Sequence, residues 1–423
     1  MSVLYKKQVK YFVFFLVLLV FNPAPSVLTA VDGSNIVNAS FLTNDLVQFW
    51  EATIVYKGRN VIAVAGLLYE VYAIVNSLID KNPSRKIDVI DFYVLYLLWL
   101  GFVTAFNSDN AYSLFTLSLC NVGLMFVAAH LIKNDAAIFI KAYEYVLILH
   151  LLLNLILILI YPHGITTGSD SFATEYHLLG TKNQTTPLLL LALLIAMIAY
   201  ELDNNVKLFI GVLGLVTLNV ILMGSTTGCV CVAFVLLCRI VFFPHFREKT
   251  HERKWSLLAH SQCLIAFVVV VFIGVTFFNI QVLFQDFFST IFNKDADLNS
   301  RSSMIWKLAF EQIVENPFEG YGYGHLVFKH YYAHNGLIEL LVISGILGML
   351  LYLSFLMSVF SSIKKQKNLR LKAISYIVLA VIVLANITEA FLFDISILLC
   401  LVIIANGSYF DSCISSNEKR LSS

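Results

Sequence analysis

Apolar runs of about 20 residues, each close to the length that crosses a hydrocarbon core, recur from one end of the chain to the other. They fall at approximately 11–31, 60–79, 88–106, 111–132, 138–160, 185–202, 206–223, 225–243, 258–278, 335–360, 373–391 and 394–410. Read as helices, they predict an all-α polytopic membrane protein with about twelve transmembrane spans. Residues 1–423 form one transmembrane domain in this reading, because no repeat of fixed period and no low-complexity linker divides the chain. The pattern changes over 279–334, a long loop inserted between the ninth and tenth spans. Within it Ile305, Leu308, Ala309, Gln312 and Ile313 fall at helical spacing, which predicts a short amphipathic surface helix stopped by Asn316-Pro317. A second loop, 161–184, is rich in Gly, Ser and Thr and predicts irregular backbone.

Composition agrees with the pattern. Of 423 residues, 59% are hydrophobic and 13% charged, against about 25% charged in a soluble domain. Positive residues resist translocation, so their distribution predicts orientation. With the N-terminus cytoplasmic, only Lys57, Arg59, Lys182, Lys294, Arg301, Lys307 and Lys329 of the 28 Lys and Arg face outward. Both termini are therefore expected inside, with 279–334 outside. Met1 to Ala30 also has the outline of a signal peptide, and the reading preferred is a first span. The seven cysteines show no CxxC pair and sit mostly in or beside apolar runs, as small core residues do. A net charge of +1 gives no reason to expect nucleic acid as a partner.

Ionisable residues inside spans are costly and so draw attention: Glu70, Glu144, His150, Glu201, Glu339, Glu389 and Asp394. Each is equally satisfied by an interhelical hydrogen bond. Glu339 stands apart, one turn from Asn335 on the same helix face.

The densest chemistry lies between Arg301 and Gly348. A membrane enzyme that handles a lipid-linked diphosphate needs fixed positive charge, and arginine grips two phosphate oxygens at once. Arg301, at the head of the expected surface helix, is the best-placed outer arginine, and it fits snorkelling at the interface equally well. Lys182 and Lys329 are further candidates. A glycosyl acceptor hydroxyl must lose a proton during transfer, for which a histidine titrating near neutrality is suited. His334 sits immediately before the span that opens at Asn335. His330 precedes it by four residues, but no HExxH and no third ligand accompany the pair, so no metal site and no cofactor are expected. The glycines of EGYGYGH lack the strand and helix context of a nucleotide loop. With Tyr321 and Tyr323 beside them they suit either a sugar-lining groove or an ordinary turn.

Arg301, Trp306, Asn316-Pro317, Gly320, Gly322, Gly324, His334-Asn335, Gly345 and Gly348 form a pattern that resembles the O-antigen ligases and Wzy-type O-antigen or capsule polymerases. GTKNQTTP at 180–187 and GSTTG at 224–228 are similar to two further family segments. The resemblance implies transfer of an oligosaccharide from undecaprenyl pyrophosphate at the outer face of the bacterial cytoplasmic membrane, without a nucleotide sugar. It implies catalytic roles for His334, which activates the acceptor hydroxyl, and for Arg301, which binds the diphosphate. Lys182, Lys329, His330, Asn335, Tyr321 and Tyr323 complete the expected substrate-binding set. Expected partners are the lipid-linked oligosaccharide, the bilayer, a chain-length regulator and a flippase. Many ligases carry an arginine where this chain has Ser225, Thr226, Thr227 and Gly228, and that departure tilts the expectation from ligase towards polymerase. A transporter is the alternative from another class, since about twelve spans with both ends inside also fits carriers; the short linker 203–207 and the lack of repeat symmetry count against it.

Overall fold

The computed structural model describes residues 3–21, 56–79, 88–164, 166–167, 175–242, 251–278, 280, 304–328 and 331–414. In chain order the helices are α1 (Val3–Leu19), α2 (Tyr56–Ile79), α3 (Val89–Asn107), α4 (Ala111–Ile160), α5 (Thr186–Asp203), α6 (Val206–Met223), α7 (Thr226–Phe242), α8 (His251–Phe278), α9 (Trp306–Glu315), α10 (Gly336–Lys365), α11 (Leu369–Ala385), α12 (Ile395–Ala405) and α13 (Ser408–Ile414). Among the described residues the only strands are a two-residue antiparallel ladder, β1 (Thr166–Thr167) with β2 (Glu175–Tyr176), inside the loop expected to be irregular.

The chain is therefore an all-helical polytopic membrane protein, as its pattern predicts. Among the described residues six helices are long and apolar enough to span, or seven if α12 and α13, bent by 60°, are one span. The expected count of twelve is not confirmed among the described residues. The expected span 11–31 runs beyond the described residues, and the expected spans 111–132 and 138–160 lie in one helix, α4, interrupted at Asp135 (φ −163°, ψ 88°). There the Asp135 carboxylate accepts the Ile138 N–H at 3.2 Å and caps the second half.

Short polar side chains set five of the helix starts. Asp88 and Asp91 form a capping box at α3. Asn205, Asn335, Asn368 and Asp394 cap α6, α10, α11 and α12 by accepting first-turn N–H groups. The core is α5, α11 and α12: residues Ile395 to Ile404 of α12 are all buried, and α5 is buried over nearly its whole length between α4, α6, α7, α11 and α12. Helices apolar all round belong in such surroundings. Around this centre, α3 packs on α10, α8 on α11, and α1 and α2 on α4.

α10 positions the site, and it is not one continuous helix. Gly345 interrupts it at φ 62°, ψ −169°, a backbone conformation that is essentially restricted to glycine. The interruption is filled by the segment after α9. Tyr321 and Gly322 donate their N–H groups to the Val342 and Ile343 carbonyls at 2.8 and 2.9 Å, and Ile346 donates to the Pro317 carbonyl at 2.8 Å. Trp99 Nε1 of α3 donates to the Ser344 carbonyl at 3.0 Å. Backbone groups released by a break inside a membrane protein must find such partners. The EGYGYGH glycines thus act as a turn that fits into a broken helix. A Cβ on Gly345 would run into the Phe318 carbonyl, and one on Gly320 would come within 2.6 Å of the Ser344 nitrogen.

At the end of α10 remote from His334, charges are paired. Lys10 meets Asp135 and Lys133 meets Asp88, both at 3.1 Å, Lys141 meets Asp203 at 2.9 Å and Arg370 meets Glu201 at 3.4 Å. On this face the Lys367 and Asn368 N–H groups donate to Asp411, which ties α13 to the α10–α11 loop.

Candidate active site

His334 and Asn335 open α10. Asn335 is fully buried, and its side-chain oxygen accepts from Leu337 and Ile338 while its Nδ2 donates to Thr276 Oγ1 of α8 and to the Ile387 carbonyl, each at 3.0 Å. One residue earlier, His334 adopts φ 49°, a left-handed conformation unusual for a residue with a Cβ. Its imidazole is partly exposed, and Nδ1 lies 3.5 Å from Glu389 Oε2. That separation is at the outer limit of a hydrogen bond, as catalytic contacts without substrate often are.

Glu389 is buried and held from its other side. Asn183 Nδ2 donates to Glu389 Oε1 at 2.6 Å, Ser225 Oγ donates to Asn183 Oδ1 at 3.4 Å, and the Gly228 N–H donates to Ser225 Oγ at 3.0 Å. Thr227 and Thr388 hydroxyls meet at 3.1 Å beside this chain. Four stretches far apart in sequence, 183–186, 225–228, 334–335 and 387–389, are thereby joined, and the starts of α5, α7 and α10 converge on them. Helix N-termini carry partial positive charge, so the field here favours an anion, while the first-turn N–H groups of α10 are already taken by Asn335 and the Asn386 carbonyl.

The expected site residues distribute as follows. His334 and Asn335 are at the centre. Lys182 lies exposed in the turn that carries Asn183, its carbonyl accepting from Thr185 Oγ1. Tyr323 packs its ring edge-on to Phe393 and its backbone N–H donates to Thr104 Oγ1 at 2.9 Å; Tyr321 stacks on His325 and donates its hydroxyl to Glu315 at 3.1 Å. Tyr321 thus faces α9, while the Tyr323 ring faces Phe393 and only its backbone meets α3. Burial pushes the Tyr323 and Tyr332 phenols up, so they act as neutral hydrogen-bonding groups. Arg301, Lys329 and His330 lie outside the described residues. Sequence reasoning missed the pairing of Glu389 with His334 and the whole role of Asn183. The only signal for Glu389 was a carboxylate in an apolar run, and for Asn183 its place in GTKNQTTP.

An open groove of about 660 Å³ adjoins the site between the end of α8 and α9. Phe277, Phe310 and Val314 give it apolar walls and Lys307 stands there beside Glu311 and Glu315, while Thr276 and Trp306 link it to the His334 turn through their hydrogen bonds to Asn335 and Ala333.

Fold and site together define a multi-pass helical membrane protein with a histidine–carboxylate centre at the converging ends of its spans. Residues 209–353, from α6 into α10, match the family model described as O-Antigen ligase, so this part of the chain is similar to the O-antigen ligase/Wzy-type family. That family comprises glycosyltransferase-like ligases and polymerases whose substrates are lipid-linked polysaccharides. A comparison with curated proteins found no match.

Proposed function

We propose that this protein is a polysaccharide polymerase at the outer face of the bacterial cytoplasmic membrane. It moves a glycan chain from undecaprenyl pyrophosphate to the sugar hydroxyl of a lipid-linked repeat unit. The observation that carries the reading is the Glu389–His334 pair, held by Asn183 where three helix N-termini meet. With Nδ1 directed at Glu389, Nε2 is the nitrogen that takes the acceptor proton, and the carboxylate stabilises the imidazolium that results. The acceptor oxygen then bonds to the anomeric carbon while the bond from that carbon to the diphosphate oxygen breaks. The departing lipid diphosphate keeps the electron pair. Its charge is met by the helix N-termini, by Lys182 and, from the sequence pattern, by Arg301. The groove beside α9 suits an apolar chain passing close to the same turn. The long loop 279–334, both termini cytoplasmic, and service by a flippase and a chain-length regulator belong to this proposal.

Ligation to lipid A core or another acceptor is the second reading, favoured by the description of the matching family model. Deletion followed by gel analysis of surface glycan separates the two. Single repeat units on the normal acceptor indicate a polymerase, polymer left on the lipid carrier indicates a ligase, and unchanged glycan overturns both. His334→Ala is expected to abolish polymer while the protein stays in the membrane, and Arg301→Lys to be a poor replacement because the two-oxygen grip is lost.

A further inference from the structure

We propose that Trp306 and Glu339 are positioning residues for His334, acting through the backbone of Ala333; the inference rests on the reading of His334 as the proton acceptor. Ala333 is fully buried, and both of its backbone polar groups are taken by side chains. Trp306 Nε1, from α9, donates to its carbonyl at 2.8 Å, and its own N–H donates to Glu339 Oε2, from α10, at 2.9 Å. Trp306 and Glu339 are themselves buried, at 2% and 7% exposure, so neither bond is loosened by bulk water.

The consequence appears one residue later. His334 holds φ 49°, a left-handed conformation that is strained for a residue with a Cβ and persists only where the surroundings impose it. On the far side Asn335 is anchored to Thr276 and to the Ile387 carbonyl. The stretch 333–335 is thus pinned on both flanks of the histidine, which sets the direction of its Cα–Cβ bond and lets Nδ1 lie 3.5 Å from Glu389 Oε2. Release at Ala333 frees the His334 backbone to relax to negative φ, which swings its Cβ away from that carboxylate. Neither Trp306 nor Glu339 hydrogen-bonds to the imidazole itself, so both act on where it points.

The inference explains why a tryptophan stands at the head of the surface helix and why a carboxylate occupies the first turn of a membrane helix. The first needs a long donor that reaches across to the turn, and the second an acceptor aimed back at it. A carboxamide supplies the same acceptor, so charge at 339 is not required.

The test uses full-length protein in detergent or liposomes, with a lipid-diphosphate-linked oligosaccharide as donor. Rates are normalised to folded protein measured by size exclusion. Trp306→Phe keeps the packing and removes the donor; Glu339→Leu removes the acceptor; Glu339→Gln keeps it. Trp306→Phe and Glu339→Leu are each expected to lower kcat by up to about 100-fold, the effect of a displacement near 1 Å. KM for the donor is expected to stay within about twofold of wild type, and Glu339→Gln to recover most of the rate lost in Glu339→Leu. Unchanged kcat in both Trp306→Phe and Glu339→Leu, beside an inactive His334→Ala, overturns the positioning role while the functional reading stands. A loss that disappears on normalisation, or a Glu339→Gln no better than Glu339→Leu, overturns it as well. Full activity of His334→Ala removes the functional reading itself.

Discussion

Glu389 faces His334 at 3.5 Å and Asn183 at 2.6 Å, so the carboxylate is fixed from the asparagine side and presents its second oxygen to the ring. This asymmetry predicts an order of effects. Glu389→Gln removes the charge that stabilises an imidazolium and is expected to cut turnover by about 100-fold or more. Asn183→Ala removes one hydrogen bond to a charged group, worth about 1.5–3 kcal/mol, and is expected to cost about 10- to 100-fold. Measured transfer rates in which Asn183→Ala is the more damaging of the two would reverse the hierarchy. At this scale the sequence marks His334 and Asn335, because a polar pair at the mouth of an apolar run is conspicuous. It cannot join His334 to Glu389, 55 positions away, since neither periodicity nor spacing encodes which loops meet above a helical bundle. Asn183 and Ser225 are small polar residues in turn-like stretches, marked only by their places in GTKNQTTP and GSTTG, with no local physical signal.

Elements were legible where their ends carry chemistry and opaque where they are broken in the middle. The surface helix expected to end at Asn316-Pro317 is α9, Trp306–Glu315, with Trp306 and Ala309 buried and Lys307 and Glu311 exposed. The span expected over 335–360 is instead α10, Gly336–Lys365, divided at Gly345. Both halves are apolar, so a hydropathy pattern runs through the break without registering it, and the interior glycines Gly345 and Gly348 are the sole cue, without saying which of them breaks the helix. Gly345→Ala combines a backbone conformation closed to alanine with a collision against the Phe318 carbonyl. It is expected to destabilise by about 3 kcal/mol or more. The measurement is the yield and thermal midpoint of detergent-purified protein, and a variant as stable as wild type would show that the break can close.

For the whole molecule, basic residues on one face and the histidine centre on the other make orientation testable. Asp411 binds the α10–α11 loop, so α13 shares the face of Lys364, Lys365 and Lys367. In a background with the native cysteines replaced, Lys182→Cys is expected to react with an impermeant maleimide on intact cells. Lys367→Cys is expected to react only after permeabilisation, and the opposite pattern would invert the topology. The helical, membrane-embedded class followed from the sequence because a bilayer imposes length and apolarity on every span. The count of twelve is not confirmed among the described residues, although α4, broken at Asp135, holds both of the spans expected at 111–132 and 138–160. The insertion of the 317–322 segment into the α10 break also changes how this molecule should trade protons with solvent. Loops of glycine and tyrosine ordinarily exchange their amide hydrogens for deuterium within moments. The Tyr321 and Gly322 amides, bonded to the Val342 and Ile343 carbonyls, are expected to be retained as long as those of the flanking helix, so that exchange mass spectrometry would register this loop as part of the membrane interior.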